Sequence, residues 1–421
     1  MSEWKKVKIG DVCKIVKGTT GIASAEPGKY PLVVTAVERK TCSTYQFDCE
    51  AVCIPLVSSS GHGKKSLNNV HYQSGKFALG TILCAVIPNN SDELDARYLH
   101  QYLQFYKDTV LVPLMKGAAN VSLSMKDIAC VEVPLPPIEK QRELSTMFVS
   151  LQEKSLEFKK ETDKQIEYVK LLRQNILQEA IEGKLTADWR KQHPVQKGNS
   201  DYDAEALFEK IQTEKQEKGK KQKLLPVITE TEKLFAIPTG WKWVRFGDVI
   251  INRDGERIPL SLSQREKLSK KYDYYGASGI IDKVDNYLFD KSLLLIGEDG
   301  ANLINRSTPI AFIASGKYWV NNHAHVLDFD ESIVNMKYIM YHINAINLEP
   351  YVTGSAQPKM NQANMNKILI AFPSLAEQKE IVARIEAKLQ TITQLETQIA
   401  TRETTTKQLM QSILKDAFEE G

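Results

Sequence analysis

Pro136-Pro137-Ile138-Glu139-Lys140-Gln141-Arg142-Glu143-Leu144 opens a long polar-apolar stretch that closes on Gln174-Asn175-Ile176-Leu177-Gln178-Glu179-Ala180-Ile181-Glu182, and the sequence carries it twice. The second copy opens on Pro373-Ser374-Leu375-Ala376-Glu377-Gln378-Lys379-Glu380-Ile381 and closes on Gln411-Ser412-Ile413-Leu414-Lys415-Asp416-Ala417-Phe418-Glu419. Subtracting 141 from 378 and 174 from 411 gives 237 both times. The same offset relates Trp4 with Gly10-Asp11-Val12 to Trp241 with Gly247-Asp248-Val249, and Gly117-Ala118-Ala119-Asn120 to Gly354-Ser355-Ala356-Gln357. A repeat at one fixed period sets the architecture before any local reading does. The chain is two copies of a module, each a globular part followed by a long helix.

Both helices carry an apolar stripe stepping by four and three, the heptad pattern of a coiled coil. In the first copy the pairing positions are Leu144, Phe148, Leu151, Phe158, Val169, Leu172 and Ile176, with Ser155, Thr162 and Gln165 as polar interruptions. In the second they are Ile381, Ile385, Ile392, Leu395, Ile399, Leu409 and Ile413, interrupted by Lys388, Arg402 and Thr406. A helix of about 40 residues is about 60 Å long and cannot hide such a stripe alone. The two copies are therefore expected to pack on each other. The alternative is that each amphipathic helix packs on its own domain.

The chain has 421 residues, 42% of them apolar, and a formal charge of +3. That is enough for two or three domains, each with a core. So small a net charge does not by itself declare a nucleic-acid partner, so any basic surface is local. No signal peptide and no membrane-length apolar run is visible, so a soluble, cytoplasmic protein is expected. The six cysteines, Cys13, Cys42, Cys49, Cys53, Cys84 and Cys130, all lie in the first module without a Cys-x-x-Cys pair. They read as buried free thiols rather than a metal site.

Alternation and β-branched content predict strands over 4–16, 30–37, 46–57, 77–87 and 129–134, a helix over 95–106, and a second globular part of the same layout with a helix over 336–346. Fold class is α+β: two mostly-β domains separated by two long helices, with an internal pseudo-two-fold repeat. The domains are read as 1–135, helical region 136–195, a charged linker with a short exposed helix 196–237, the second β domain 238–372, and helical region 373–421.

No phosphate-binding Gly-x-x-x-x-Gly-Lys loop, strand-linked Gly-x-Gly-x-x-Gly or His-Glu-x-x-His appears. Glu298-Asp299 in a glycine turn and Asn322-His323-Ala324-His325 could suggest a carboxylate or metal site. The first copy has no matching pair, and the two imidazoles read as one core histidine and one surface donor. Both modules do supply cationic and hydrogen-bonding side chains on loops, suited to phosphates and base edges. The first-module candidates are Ser58, Ser59, His62, Lys64, Lys65, Lys116 and Asn120. Those of the second are Tyr275, Ser278, Asn305, Arg306, Lys317, Asn322, His323, Gln357 and Lys359. No catalytic or metal-binding residue is assigned.

The ordered motifs around Trp4–Val12 and Trp241–Val249, 135–144 and 372–381, 274–281 and 287–302, and the ends of the long helices resemble the specificity subunit of type I restriction-modification systems over the whole chain. The resemblance implies two target recognition domains, each reading half of an asymmetric bipartite site in double-stranded DNA, and two helices paired as an antiparallel coiled coil that sets the spacer. It also implies docked modification subunits carrying the methyltransferase and S-adenosylmethionine, and restriction subunits carrying an ATP- and Mg-dependent translocase and nuclease. A role in phage defence follows, with this chain non-catalytic by itself. A coiled-coil scaffold, or an adaptor of another DNA-modification system, is the alternative.

Overall fold

A computed structural model describes residues 4–60, 63–217, 225–354 and 356–419. The chain divides into two compact units, Met1–Asp163 with Ala400–Gly421, and Lys164–Ile399.

In the first unit, strand Ala51–Pro55 is the centre of a sheet whose spatial order is Cys13–Lys17, Leu83–Pro88, Ala51–Pro55, His71–Gln73. A second sheet runs Lys40–Cys42, Tyr30–Val33, Lys76–Leu79, Phe47–Asp48. Side chains of a strand alternate between faces, and the central strand uses both. Ala51 and Cys53 meet Val33, Phe47 and Phe77 of the second sheet. Val52 and Ile54 turn the other way, onto Tyr98, Leu99 and Leu103 of helix Ala96–Val110. A strand covered on both faces reads as a continuous apolar run, which is why no clean alternation marks it.

The second unit repeats this order strand for strand. One sheet runs Ile251–Asn252, Ala324–Asp328, Leu293–Gly297, Ala311–Ala314, and the other Gly279–Val284, Tyr272–Gly276, Lys317–Val320, Phe289–Asp290. Leu293 and Leu295 face the second sheet, while Leu294 and Ile296 meet Tyr338, Ile339 and Ile343 of helix Met336–Ala345. In each unit a two-stranded ribbon closes the module: Lys6–Lys8 with Glu132–Pro134, and Lys242–Arg245 with Leu369–Phe372.

The glutamines that set the repeat are buried staples. Gln141, fully buried, accepts from the Asp95 amide at 2.8 Å and donates to the Pro136 carbonyl at 2.8 Å and the Glu93 carbonyl at 2.9 Å. Gln378 accepts from the Asn335 amide at 2.9 Å and donates to the Pro373 carbonyl at 3.0 Å. Asp95 and Asn335 are the N-caps of the two short helices, so each glutamine ties the first turn of a long helix to the start of a short one. Tyr98 and Tyr338 then donate to the carbonyls of Pro134 and Ala371.

The long helices, Ile138–Ile181 and Leu375–Glu419, each begin in one unit and end in the other. Inside the first unit Leu144 and Phe148 share a core with Leu414 and Phe418, and Arg402 stands over the Phe158 ring at 5.4 Å. Inside the second, Val169 and Ile176 share a core with Ile381, Ile385 and Ile392, and Arg173 meets Glu396 at 3.2 Å. The start of one helix thus meets the end of the other in each unit: the pair is antiparallel.

Several expectations change. Leu172, Leu395 and Leu409 are 44%, 39% and 59% exposed and leave the seam. In the last turns the buried position is Leu414, with the expected Ile413 half-buried beside it. A helix of 3.6 residues per turn drifts about 20° per heptad from a strict 3.5 repeat, and the polar interruptions leave little to hold that register. The linker helix Ala204–Glu217 is not an exposed one: Ala204, Leu207 and Ile211 are buried, the latter two in a core with Trp241 and Phe246. Of the cysteines, all free, Cys13, Cys42, Cys53 and Cys84 are buried as expected, Cys49 is half-buried and Cys130 exposed; burial pushes the Cys13 and Cys84 thiols up to about 12. The stretch 77–87 is two strands around a turn, a helical turn Ile9–Val12 interrupts 4–16, and the short helix extends to Val110. Among the described residues no helix is long and apolar enough to cross a membrane.

Candidate nucleic-acid interface

In both units the central strand runs into a turn tied to a second loop by the same pair of bridges. Val57 pairs with Ser122 and Ser122 with Lys116 in the first; Asp299 pairs with Lys359 and Lys359 with Thr353 in the second. The glycine anchors sit at the tips of these second loops. Gly117 at φ +122° and Gly354 at φ +84° adopt the left-handed region, and a Cβ on either would lie 2.2 Å from the Asn120 carbonyl or 2.6 Å from that of Gln357. Only glycine suits such a turn.

The first unit brings the serine loop and the lysine loop together. A Cβ on Gly63 would lie 2.4 Å from the Ala118 carbonyl, and the Ser58 amide donates to the Val121 carbonyl at 3.0 Å. Ser58 and Ser59 hold the loop: the Ser58 hydroxyl donates to the Lys64 carbonyl at 2.5 Å and accepts from the Ser66 amide at 3.2 Å, and the Ser59 hydroxyl accepts from the Asn68 amide at 3.0 Å. Lys64, Lys65 and Asn120 are exposed. Lys116 reaches Asp127 at 3.1 Å, and the Ser124 hydroxyl with Lys116 keeps that carboxyl below the usual range. His62 lies outside the described residues.

The second unit gathers a more charged cluster. His323 Nδ1 lies 2.7 Å from Asp299 Oδ2, Lys359 meets Glu298 at 3.2 Å, and Asn322 and Gln357 are exposed on the adjoining turns. Ser278 is exposed at the tip of the hairpin 272–284; a Cβ on Gly297 would lie 2.7 Å from the carbonyl of its neighbour Ala277. Four candidates are placed elsewhere. Tyr275 packs against the core, stacked on Phe312 and edge-on to Tyr318. Arg306, left-handed at φ 49°, donates to the Ile346 carbonyl at 2.9 Å, with exposed Asn305 beside it. Lys317 starts the strand that ends at Val320, over the Tyr287 ring at 4.8 Å and 3.8 Å from Asp290. It is therefore at the far end of that strand from Asn322.

Sequence reasoning missed the layer beneath. His325, fully buried, has Nδ1 at 2.7 Å from Asp254 and Nε2 at 2.8 Å from the Met360 carbonyl. Arg257 donates to Glu298 at 2.8 Å and to the Ala324 carbonyl at 2.7 Å. Burial opposes ionisation of Asp254, but the His325 ring outweighs it; burial likewise opposes ionisation of Glu298, which Arg257, His325 and Lys359 outweigh. Both carboxyls are held below the usual range. Alternating charges in Arg253-Asp254-Gly255-Glu256-Arg257 were the available signal. In the first unit Cys84 faces Ile54 where His325 faces Ile296, so that brace is apolar. His323 and His325 are one surface donor and one satisfied core histidine, and Glu298 is committed to ion pairs.

Each loop cluster thus offers exposed donors and acceptors on a braced β frame. That chemistry suits base edges and phosphates.

A family model described as "Type I restriction modification DNA specificity domain" matches residues 1–168 and 238–402. S.HindORF215P of Haemophilus influenzae is 33% identical over 35% of this chain and 37% of that protein. The EcoEI specificity subunit of Escherichia coli is 28% identical over 59% of this chain and 45% of that protein. The chain therefore spans less than half the length of these curated relatives, whereas the match to the EcoDI specificity subunit of Escherichia coli, 22% identical, covers 99% of this chain and 88% of that protein. Among solved structures, the HsdS subunit from Thermoanaerobacter tengcongensis aligns over 99% of this chain and 96% of its own at 17% identity with a TM-score of 0.56. A chain described under complex assembly and conformational transition of the type I R-M system aligns over 100% of this chain and 98% of its own at 16% identity with a TM-score of 0.65. Both share the fold. With both modules matched by one model, the chain belongs to the type I restriction-modification DNA specificity family.

Proposed function

We propose that this chain is the sequence-reading subunit of a type I restriction-modification complex and catalyses nothing by itself. One observation carries the reading: two modules of identical strand order present different loop chemistry, serines and lysines in one, Asp299, His323 and Lys359 in the other. Two unlike readers call for a bipartite, asymmetric target. Each module reads one half in double-stranded DNA, and the antiparallel helix pair spaces the halves and receives the modification subunits. S-adenosylmethionine belongs to those subunits, and ATP and Mg to the restriction subunits, all in the cytoplasm. The weak net charge of +3 implies that partner subunits supply many of the phosphate contacts.

Mobility shifts of the full chain with its modification subunits on a random duplex library test this. The expected result is enrichment of two different half-sites at one fixed separation. Enrichment of a palindrome, or no DNA retention by the assembled complex, overturns the reading and leaves a scaffold in its place.

A further inference from the structure

We infer that the tip of the same hairpin in each module delivers an aliphatic side chain, Val37 in the first and Ile280 in the second, to the C5 methyl of a thymine in the target; this rests on the DNA-reading function proposed above. The hairpins are equivalent by topology. Strand Tyr30–Val33 turns into Lys40–Cys42, and Tyr272–Gly276 into Gly279–Val284, each at the outer end of the second sheet. The same backbone hydrogen bond ties each to its module: the Gly80 amide donates to the Val33 carbonyl at 3.0 Å, the Asn321 amide to the Tyr275 carbonyl at 3.1 Å. Gly80 and Asn321 each follow the strand that lies parallel to the hairpin's first strand.

Val37 is 71% exposed and Ile280 55%. A single exposed aliphatic residue is ordinary on a protein surface. Here the equivalent hairpin of each module bares a β-branched residue close to its turn, Val37 within the turn 34–39 and Ile280 on the returning strand opposite Tyr275, with Ile281, 53% exposed, next along it, in modules whose loops otherwise diverged. Neither backbone is loose. Arg39 Nη1 donates to the Val37 carbonyl at 2.9 Å, and the same guanidinium reaches Gln73 at 3.2 Å and the Tyr72 carbonyl at 3.3 Å. In the second module the hairpin tip packs so closely on Gly297 that a Cβ there would lie 2.7 Å from the Ala277 carbonyl. Gly297 leads directly into Glu298 and Asp299, so the Ile280 hairpin adjoins the polar cluster. In the first module Asn69 Nδ2 reaches the Thr35 carbonyl at 3.5 Å, bringing that tip beside the serine loop. An apolar side chain held next to hydrogen-bonding loops distinguishes T·A in the major groove, where only thymine offers a methyl.

The test uses the full chain with its modification subunits on the site recovered from the random library. Each thymine is replaced in turn by deoxyuracil, which removes only the methyl. The expected result is about fourfold weaker binding for one thymine in each half, the loss for one unburied methyl. Val37→Ala should abolish that discrimination in one half and Ile280→Ala in the other, without changing circular dichroism. Equal binding of thymine and uracil at every position, on a complex that still selects its site, overturns the inference while sparing the DNA-reading function. A recovered half-site without an A·T pair overturns it too, and failure of all DNA binding overturns both.

Discussion

Gln141 and Gln378 show how one amide can fix an entire module's relation to its helix. Both are fully buried, and each accepts from the N-cap amide of a short helix while donating to the proline carbonyl that precedes its own long helix. Gln141→Ala strands the Asp95 amide and two carbonyls away from water, and an unmet buried polar group costs about 1–3 kcal/mol. Urea melts of the first unit's signal should move by that amount, as should those of Gln378→Ala for the second. The Asp254–His325 and Arg257–Glu298 contacts make a different forecast. Their folded carboxyls sit below the unfolded values, near 4, so their contribution is complete above that range and drains as pH falls through the lower folded values. Hydrogen exchange between pH 6 and 3 should show the loops 297–302 and 353–360 opening before 56–60 and 116–122, where Cys84 replaces the histidine. Asp254→Asn should flatten the difference.

At the scale of the element, the long helices separate what patterning could fix from what it could not. Ile392 is 1% exposed and Leu409 59%, though the heptad assigns both to the seam. Ile392→Ala should cost about 2–5 kcal/mol, while Leu409→Ala should stay within about 0.5 kcal/mol, measured by thermal or urea unfolding. The repeat and the packing of the two long helices on each other were legible because they rest on residues both copies share: the staple glutamines, the tip glycines, the buried stripe near each helix start. The loops were not. Whether Lys317 faces the same way as Asn322, or Arg306 turns inward to Ile346, depends on which end of a strand each occupies and on tertiary partners no local pattern encodes. The linker helix misled for a related reason. Its few apolar residues looked too sparse to pack, but Ala204, Leu207 and Ile211 fall on one face at steps of three and four, which is all a short helix needs.

For the whole molecule, a paired-helix spacer predicts that target geometry follows helix length. Seven residues inserted at facing positions of both helices add about 10 Å, or about three base pairs at 3.4 Å each, and the gap between the half-sites should grow by that amount when bound sequences are recovered. An insertion in one helix only should instead unmatch the facing residues and lower stability. An unchanged gap after matched insertion would remove the helices' measuring role.

Because Leu414 and Phe418 complete a core with Tyr98, Leu144 and Phe148, the first half of the protein to leave the ribosome is the last to be finished. Until those final turns are translated, the aromatic ledge of Tyr98, Tyr102 and Phe105 waits uncovered, open to chaperones or to the same stretch of a sister chain on one polysome. Assembly order therefore runs opposite to reading order, with the inner segment sealing itself before the outer one can.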